Sequence, residues 1–243
     1  MDENDVILEL KSLRFSYPNQ GLLLDHVDLR LFRGERVGFI GPNGSGKTTL
    51  LHLIMGLLRP RSGEIRIFGK TAETEKDFRE IRREVGFLFQ NADDQLFSPT
   101  VMEDVAFGPL NLGKTPTEAR EMSLKTLRDL GLSGFENRLS HKLSGGEKKL
   151  VSLATVLVMQ PKMLLLDEPT TGLDQKTNTR IIAILNNLDI GYIIVSHEYD
   201  FLARTTQNIY SIQDGKILFN GDSASLHTHY HIHPAGKIPH SHG

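Results

Sequence analysis

The chain has 243 residues, long for a typical domain but within the range of one α/β unit. Its 28 Lys and Arg against 30 Asp and Glu leave a net charge of −2, without the basic field a nucleic-acid partner requires, and its zero cysteines exclude disulfides, thiolate catalysis and Cys-based zinc or iron–sulfur sites. The longest apolar stretches, such as residues 150–159, fall short of the ~18 residues of a spanning helix, and the start Met1-Asp2-Glu3 is not expected to be a signal peptide.

Short strands broken by turns are predicted over residues 6–17, 22–31, 35–40 and 63–68. A helical insert is predicted from about 101 to 159. Within it, Thr115-Pro116-Thr117-Glu118 combines an N-cap, a Pro at the first helical position and a capping-box Glu, and Gly131 can close the helix so begun. Apolar runs at 163–166 and 192–195 flank the periodic segment 176–188. This β–α–β rhythm predicts a parallel sheet and an α/β fold. Asp214-Gly215 between 209–212 and 216–218 signals a hairpin. From 223 onward the composition turns to His, Pro and Gly without apolar period, so 223–243 is read as a His-rich mobile tail.

Gly41-Pro42-Asn43-Gly44-Ser45-Gly46-Lys47-Thr48 follows the strand 37–40 and precedes a helix predicted over 49–55, the setting a phosphate-binding P-loop requires. The glycines let backbone N–H groups close on phosphate oxygens, and the helix N-terminus adds its positive end. Lys47 is placed to reach the β and γ phosphates, and the Thr48 hydroxyl to bind Mg²⁺. Asp167 ends the apolar strand 163–166, where open α/β sheets bind ligands, and is the second expected Mg²⁺ ligand. Glu168 follows, in position to activate a water. This order of parts points to nucleotide hydrolysis. Leu143-Ser144-Gly145-Gly146-Glu147 opens a further helix, with Ser144 and Glu147 forming a capping box.

Together with the P-loop, that segment resembles the LSGGQ signature of ATP-binding cassette (ABC) ATPases, and the resemblance extends from about residue 6 to 222 in the family's motif order. It implies a P-loop NTPase fold: a RecA-like parallel-sheet core, an antiparallel β subdomain, and an α-helical signature subdomain at about 91–160, all within a nucleotide-binding domain of residues 1–222. It also implies ATP and Mg²⁺ as cofactors. ATP would be contacted by Tyr17 stacking on adenine, by Gly41, Asn43, Gly44, Ser45, Gly46, Lys47, Thr48 and Thr49, and by Ser144, Gly145, Gly146 and Glu147. Thr48, Gln90 and Asp167 would serve Mg²⁺; Glu168, His197 and Lys47 would be catalytic; and 171–174 would form the D-loop. Glu147 stands where the family usually has Gln, and Glu198 follows His197 where Asp is common. One chain carries one P-loop and one signature, so a second ABC ATPase subunit, identical or not, is an expected partner.

The stretch 89–113, from Phe89-Gln90-Asn91-Ala92-Asp93 to Leu110-Asn111-Leu112-Gly113, resembles the ATPase subunits of energy-coupling factor (ECF) importers, especially the cobalt/nickel branch. Thr100 to Glu103 reads as another capping box, leaving 91–99 as a polar loop that carries Leu96 and Phe97 toward a partner helix. The resemblance implies integral membrane subunits as partners, a peripheral place on the cytoplasmic face, and no nucleic acid. His227, His229, His231 and His233 alternate along the tail and, in an extended chain, would present four imidazoles on one face, a set suited to transition metal. A vitamin importer and a soluble His-rich metal-responsive ATPase remain the alternatives. A soluble cassette of DNA repair or the ribosome would carry a long coiled-coil insertion or a second cassette, and neither is present.

Overall fold

The computed structural model describes residues 5–223. In chain order they form β1 (Val6–Phe15), β2 (Leu24–Phe32), β3 (Arg36–Ile40), α1 (Lys47–Ile54), β4 (Ser62–Ile67), β5 (Lys70–Thr71), α2 (Glu75–Ile81) and β6 (Val85–Leu88). A helical lobe of α3 (Val101–Asn111), α4 (Pro116–Asp129) and α5 (Gly145–Leu157) follows. The chain then runs through β7 (Met163–Asp167), α6 (Gln175–Asn186), β8 (Gly191–Val195), α7 (Tyr199–Thr205), β9 (Asn208–Gln213) and β10 (Lys216–Asp222).

The strands sort into two sheets. One is antiparallel, in the order β2-β1-β4-β5; the other runs β10-β9-β3-β8-β7-β6, parallel throughout except for β10 at its edge. Both faces of the parallel sheet are covered, which explains the unbroken apolar runs in its strands. Met163, Leu165, Ile193 and Val195 face one core with α1 and the antiparallel sheet, while Leu164, Leu166, Tyr192 and Ile194 face a second core with α5, α6 and α7. The period-two side-chain alternation of a strand thus divides one apolar run between two cores. The β9–β10 hairpin turns at Asp214 and Gly215, whose φ values of 48° and 76° are those of a type I′ turn.

Capping fixes where helices begin. Thr74 with Asp77, Thr100 with Glu103, Thr115 with Glu118 and Ser144 with Glu147 each form a reciprocal capping box. The expected helical insert is three helices, α3 packing on both α4 and α5, with a short 3₁₀ turn at Ser140–Lys142. Some expectations need correction. The first strand stops at Phe15, because Tyr17-Pro18-Asn19-Gln20 forms a turn in which the Gln20 amide donates to the Tyr17 carbonyl. The second starts at Leu24, and α1 starts at Lys47 because the loop turns at Gly46. β5, α2, β6 and α7 lie where the sequence predicts no element. Among these only α2 carried a clear start signal, the Thr74–Asp77 box, while β5, β6 and α7 have two, four and seven residues. No helix among the described residues is long and apolar enough to cross a membrane.

Candidate functional site

β3 delivers the chain to the carboxyl edge of the parallel sheet, and residues 41–46 turn it into α1. Gly46 is the N-cap of α1 at φ 105°, a backbone conformation that other residues adopt only with strain, and no side chain caps the helix. Its first amides are therefore available to an anion. The Lys47 ammonium folds over the loop, donating to the carbonyls of Gly41 at 2.7 Å and Pro42 at 2.9 Å. Burial lowers its pKa, opposed by the nearby carboxylates of Glu168 and Asp167.

Asp167 is the buried last residue of β7, and its Oδ1 accepts a hydrogen bond from Thr48 Oγ1 at 3.1 Å. Burial pushes its carboxyl above the ordinary range, and the Thr48 bond works against that shift. Two hard oxygen donors converge here from the start of α1 and the end of β7. That set fits Mg²⁺, which takes few side-chain oxygens and keeps water or phosphate in its remaining positions. The Gln90 side chain is not drawn into this contact. It is exposed and makes no hydrogen bond among the described residues, although its backbone carbonyl does.

Glu168 has φ 45°, left-handed for a residue with a Cβ, and its amide donates to the Val195 carbonyl at 2.9 Å. Its Oε2 accepts from Thr171 Oγ1 at 3.0 Å and lies 2.8 Å from His197 Nδ1. Glu168 is buried, whereas the imidazole of His197 is largely open to solvent. Tyr17 stands beside the P-loop, its hydroxyl 3.1 Å from Thr49 Oγ1 and its ring edge-on to Phe15 at 4.9 Å between centroids. The expected residues 17, 41–49, 167, 168 and 197 therefore gather around one edge of the sheet.

The signature belongs to the helical lobe, and no hydrogen bond among the described residues joins 144–147 to the P-loop. Glu147 is committed to its own chain. Its Oε2 accepts from the Ser144 amide at 2.9 Å and its Oε1 from Arg138 at 3.0 Å. The Ser144 amide is the largest cause holding its carboxyl below the ordinary range. Asp174 of the expected D-loop caps α6 by accepting from the Thr177 amide at 2.9 Å. His227, His229, His231 and His233 lie outside the described residues, among which no cluster of three or more His, Cys, Asp or Glu could hold a metal ion.

Three further side chains near the site, Asp104, Gln95 and Lys149, are not among the predicted residues. Asp104 is buried and accepts from the amides of Phe97 at 3.0 Å and Ser98 at 2.8 Å and from Ser140 Oγ at 2.6 Å. Gln95 donates to the Ser152 carbonyl at 2.9 Å and Thr155 Oγ1 at 2.8 Å. Lys149 is buried against the carbonyls of Phe89 and Gln90. None of the three carried a signal in the sequence: Lys149 stands in the charged run Glu147-Lys148-Lys149, of which it alone is buried.

The family model described as "ABC transporter" matches residues 24–171. The energy-coupling factor transporter ATP-binding protein EcfA of Methanothermobacter thermautotrophicus is 45% identical over 219 residues, 88% of this chain and 70% of its own. Among solved structures, cbiO1 from Clostridium perfringens, part of the ABC transporter complex cbiONQ, superposes with a TM-score of 0.83 at 34% identity, covering 91% of this chain and 90% of its own. A dimeric ATP-binding cassette in a post-hydrolysis state, bound to ADP and Pi, superposes with a TM-score of 0.79 at 28% identity, covering 86% and 96%.

Proposed function

We propose, from the premise that the chain belongs to the ABC transporter family of ATP-binding proteins, that it is the ATPase subunit of an ECF-type importer whose cargo is Co²⁺ or Ni²⁺. The chain is an ATPase that uses Mg²⁺ and couples hydrolysis to transport. The observation that carries the site assignment is the 2.8 Å Glu168–His197 contact beside the 3.1 Å Thr48–Asp167 contact, both at the strand edge that holds the P-loop.

In this reading the amides of 41–46 and the Lys47 ammonium hold the phosphates, and Tyr17 stacks on adenine. Thr48 and Asp167 would hold Mg²⁺, with Gln90 as a further contact. Mg²⁺ held there would neutralise charge on the phosphates. Glu168 orients water and takes its proton on the oxygen not bonded to His197, while His197 keeps the carboxylate aimed and meets the γ-phosphate with its outer nitrogen. Ser144 and the glycines of one subunit present the α5 N-terminus to the γ-phosphate held by a second subunit, identical or not. Glu147 stays turned back on Ser144 and Arg138, so its charge does not face that phosphate.

The membrane partners would dock where Leu96, Phe97, Ser98, Pro99, Ser140 and His141 line a cavity of about 410 Å³. Phe97 is 66% exposed there and stands edge-on to Phe107 at 4.8 Å. Asp93 completes the lining, so Leu96, Phe97 and Pro99 stand beside polar groups, a mixed groove suited to an amphipathic helix. The protein would then sit peripherally on the cytoplasmic face of the membrane. What favours transition metal over a vitamin is the alternating imidazole set at 227, 229, 231 and 233. The test is to isolate the chain from membranes with its integral partners, reconstitute the complex in vesicles and measure ATP-dependent uptake. Co²⁺ or Ni²⁺ accumulation is expected. Vitamin uptake without metal uptake would overturn the cargo, and failure to recover any integral partner would overturn the transporter assignment.

A further inference from the structure

Lys149 is 3% exposed, one turn into α5 from the signature, and no carboxylate forms an ion pair with it among the described residues. Its ammonium is instead held by two backbone carbonyls, those of Phe89 at 3.0 Å and Gln90 at 2.6 Å. A buried cation is costly to keep, and an apolar side chain of similar volume would fill the same space at lower cost. Burial pulls its pKa down to about 8, with Asp167 and Glu168 as the opposing charges, so it lies within the field of the hydrolytic carboxylates.

Further bonds run between the same two segments. Lys148 pairs with Asp93 at 2.6 Å. Gln95 donates to Ser152 and Thr155 on α5 while accepting from the Phe89 amide at 3.2 Å. The loop 89–95 is therefore fastened along two turns of the helix whose N-terminus is the signature. The Lys148–Asp93 link is exposed and is weakened by water, the Gln95 links are neutral, and the Lys149 link joins a buried side chain to its carbonyls with a full charge, so it is the strongest of them.

We propose that Lys149 is a positioning residue that locks the Gln90 loop to the signature helix, so that Gln90 and Ser144 move as one body when nucleotide binds. The inference rests on the reading of Gln90 as the Mg²⁺-responsive residue of an ATPase.

The test uses the full chain, with Lys149→Met removing both donor and charge at similar volume and Lys149→Arg restoring both. Amide hydrogen exchange and equilibrium ATP binding, with and without Mg²⁺, are measured for each. In Lys149→Met, exchange over 89–96 should rise about tenfold, and the affinity gained on adding Mg²⁺ should fall about tenfold, as for loss of a charge-assisted bond. Exchange in β7 and β8 and Mg²⁺-free ATP affinity should stay at wild-type values, and Lys149→Arg should recover both losses. Unchanged loop exchange or an unchanged Mg²⁺ gain in Lys149→Met overturns the proposal, as does equal loss in the Met and Arg variants. If Lys149→Met does not fold, Lys149→Gln, which keeps a donor without the charge, is read by the same criteria. Failure of the wild-type chain to bind ATP at all would instead count against the function itself.

Discussion

Glu168 holds a backbone conformation that costs free energy for a residue with a Cβ, and it persists because the Val195 carbonyl, Thr171 and His197 each fix one part of it. Glu168→Gln keeps the shape and removes the proton acceptor. The expected result is hydrolysis slowed by about 10²- to 10⁴-fold with ATP still bound, and dimer accumulating with ATP in size-exclusion chromatography. Turnover near the wild-type rate would remove Glu168 from the base role. Tyr17 tests a different interaction, because its ring is placed by Phe15 and its hydroxyl by Thr49. Tyr17→Ala should weaken ATP binding by about tenfold or more, the loss of one stacking partner, whereas Tyr17→Phe should bind nearly as wild type. Equal losses in both variants would assign the effect to the Thr49 hydrogen bond rather than to stacking.

At the scale of elements, the helix starts carry both stability and site geometry. Ser144 caps α5, so Ser144→Ala should cost about 1 kcal/mol of stability by denaturant unfolding and also weaken ATP-driven dimerisation. A stability loss with unaltered dimerisation would make Ser144 a cap and nothing more. The capping carboxylates set a pH dependence. Asp77, Glu118, Glu147 and Asp174 are all held below their ordinary values, chiefly by the backbone amides of Thr74, Thr115, Ser144 and Thr177. Their deprotonated forms are favoured in the folded state. The stabilisation is therefore present above the ordinary carboxylate range and is lost as pH falls through the lowered folded values. The melting temperature should thus fall once pH drops below the ordinary range of a glutamate carboxyl. Glu118→Gln, which can still cap, should differ from wild type at neutral pH and converge with it in acid. A difference independent of pH would contradict the assignment.

For the molecule as a whole, the contact between sheet and helical lobe depends on Gly86 in β6. A Cβ there would lie 2.3 Å from Val156 Cγ1 on α5 and 2.7 Å from Leu164 Cδ2 on β7. Gly86→Ala should therefore destabilise the protein by about 1–3 kcal/mol in chemical denaturation, because the packed layers have little room to separate. It should also lower ATPase activity by displacing α5 from the core. Full stability would show that the two layers slide apart freely.

Local chemistry was readable without a structure wherever a motif is contiguous: the glycine loop before α1, the apolar β7 ending in Asp167, the Thr-Pro-x-Glu start of α4, the Asp-Gly hairpin. Each depends on backbone conformation and nearest neighbours, which the order of residues sets directly. Short elements such as β6 and α7 gave too few positions for a period to show. Which residues meet across the chain was decided only by the tertiary fold. Tyr17 reaches Thr49, His197 reaches Glu168, and Lys149 leaves its apparent place on a charged run to sit under the Gln90 loop. A buried lysine and a solvated one look alike in sequence. The difference lies in the packing of α5 against the 89–95 loop, which removes water from the ammonium and leaves two carbonyls in its place.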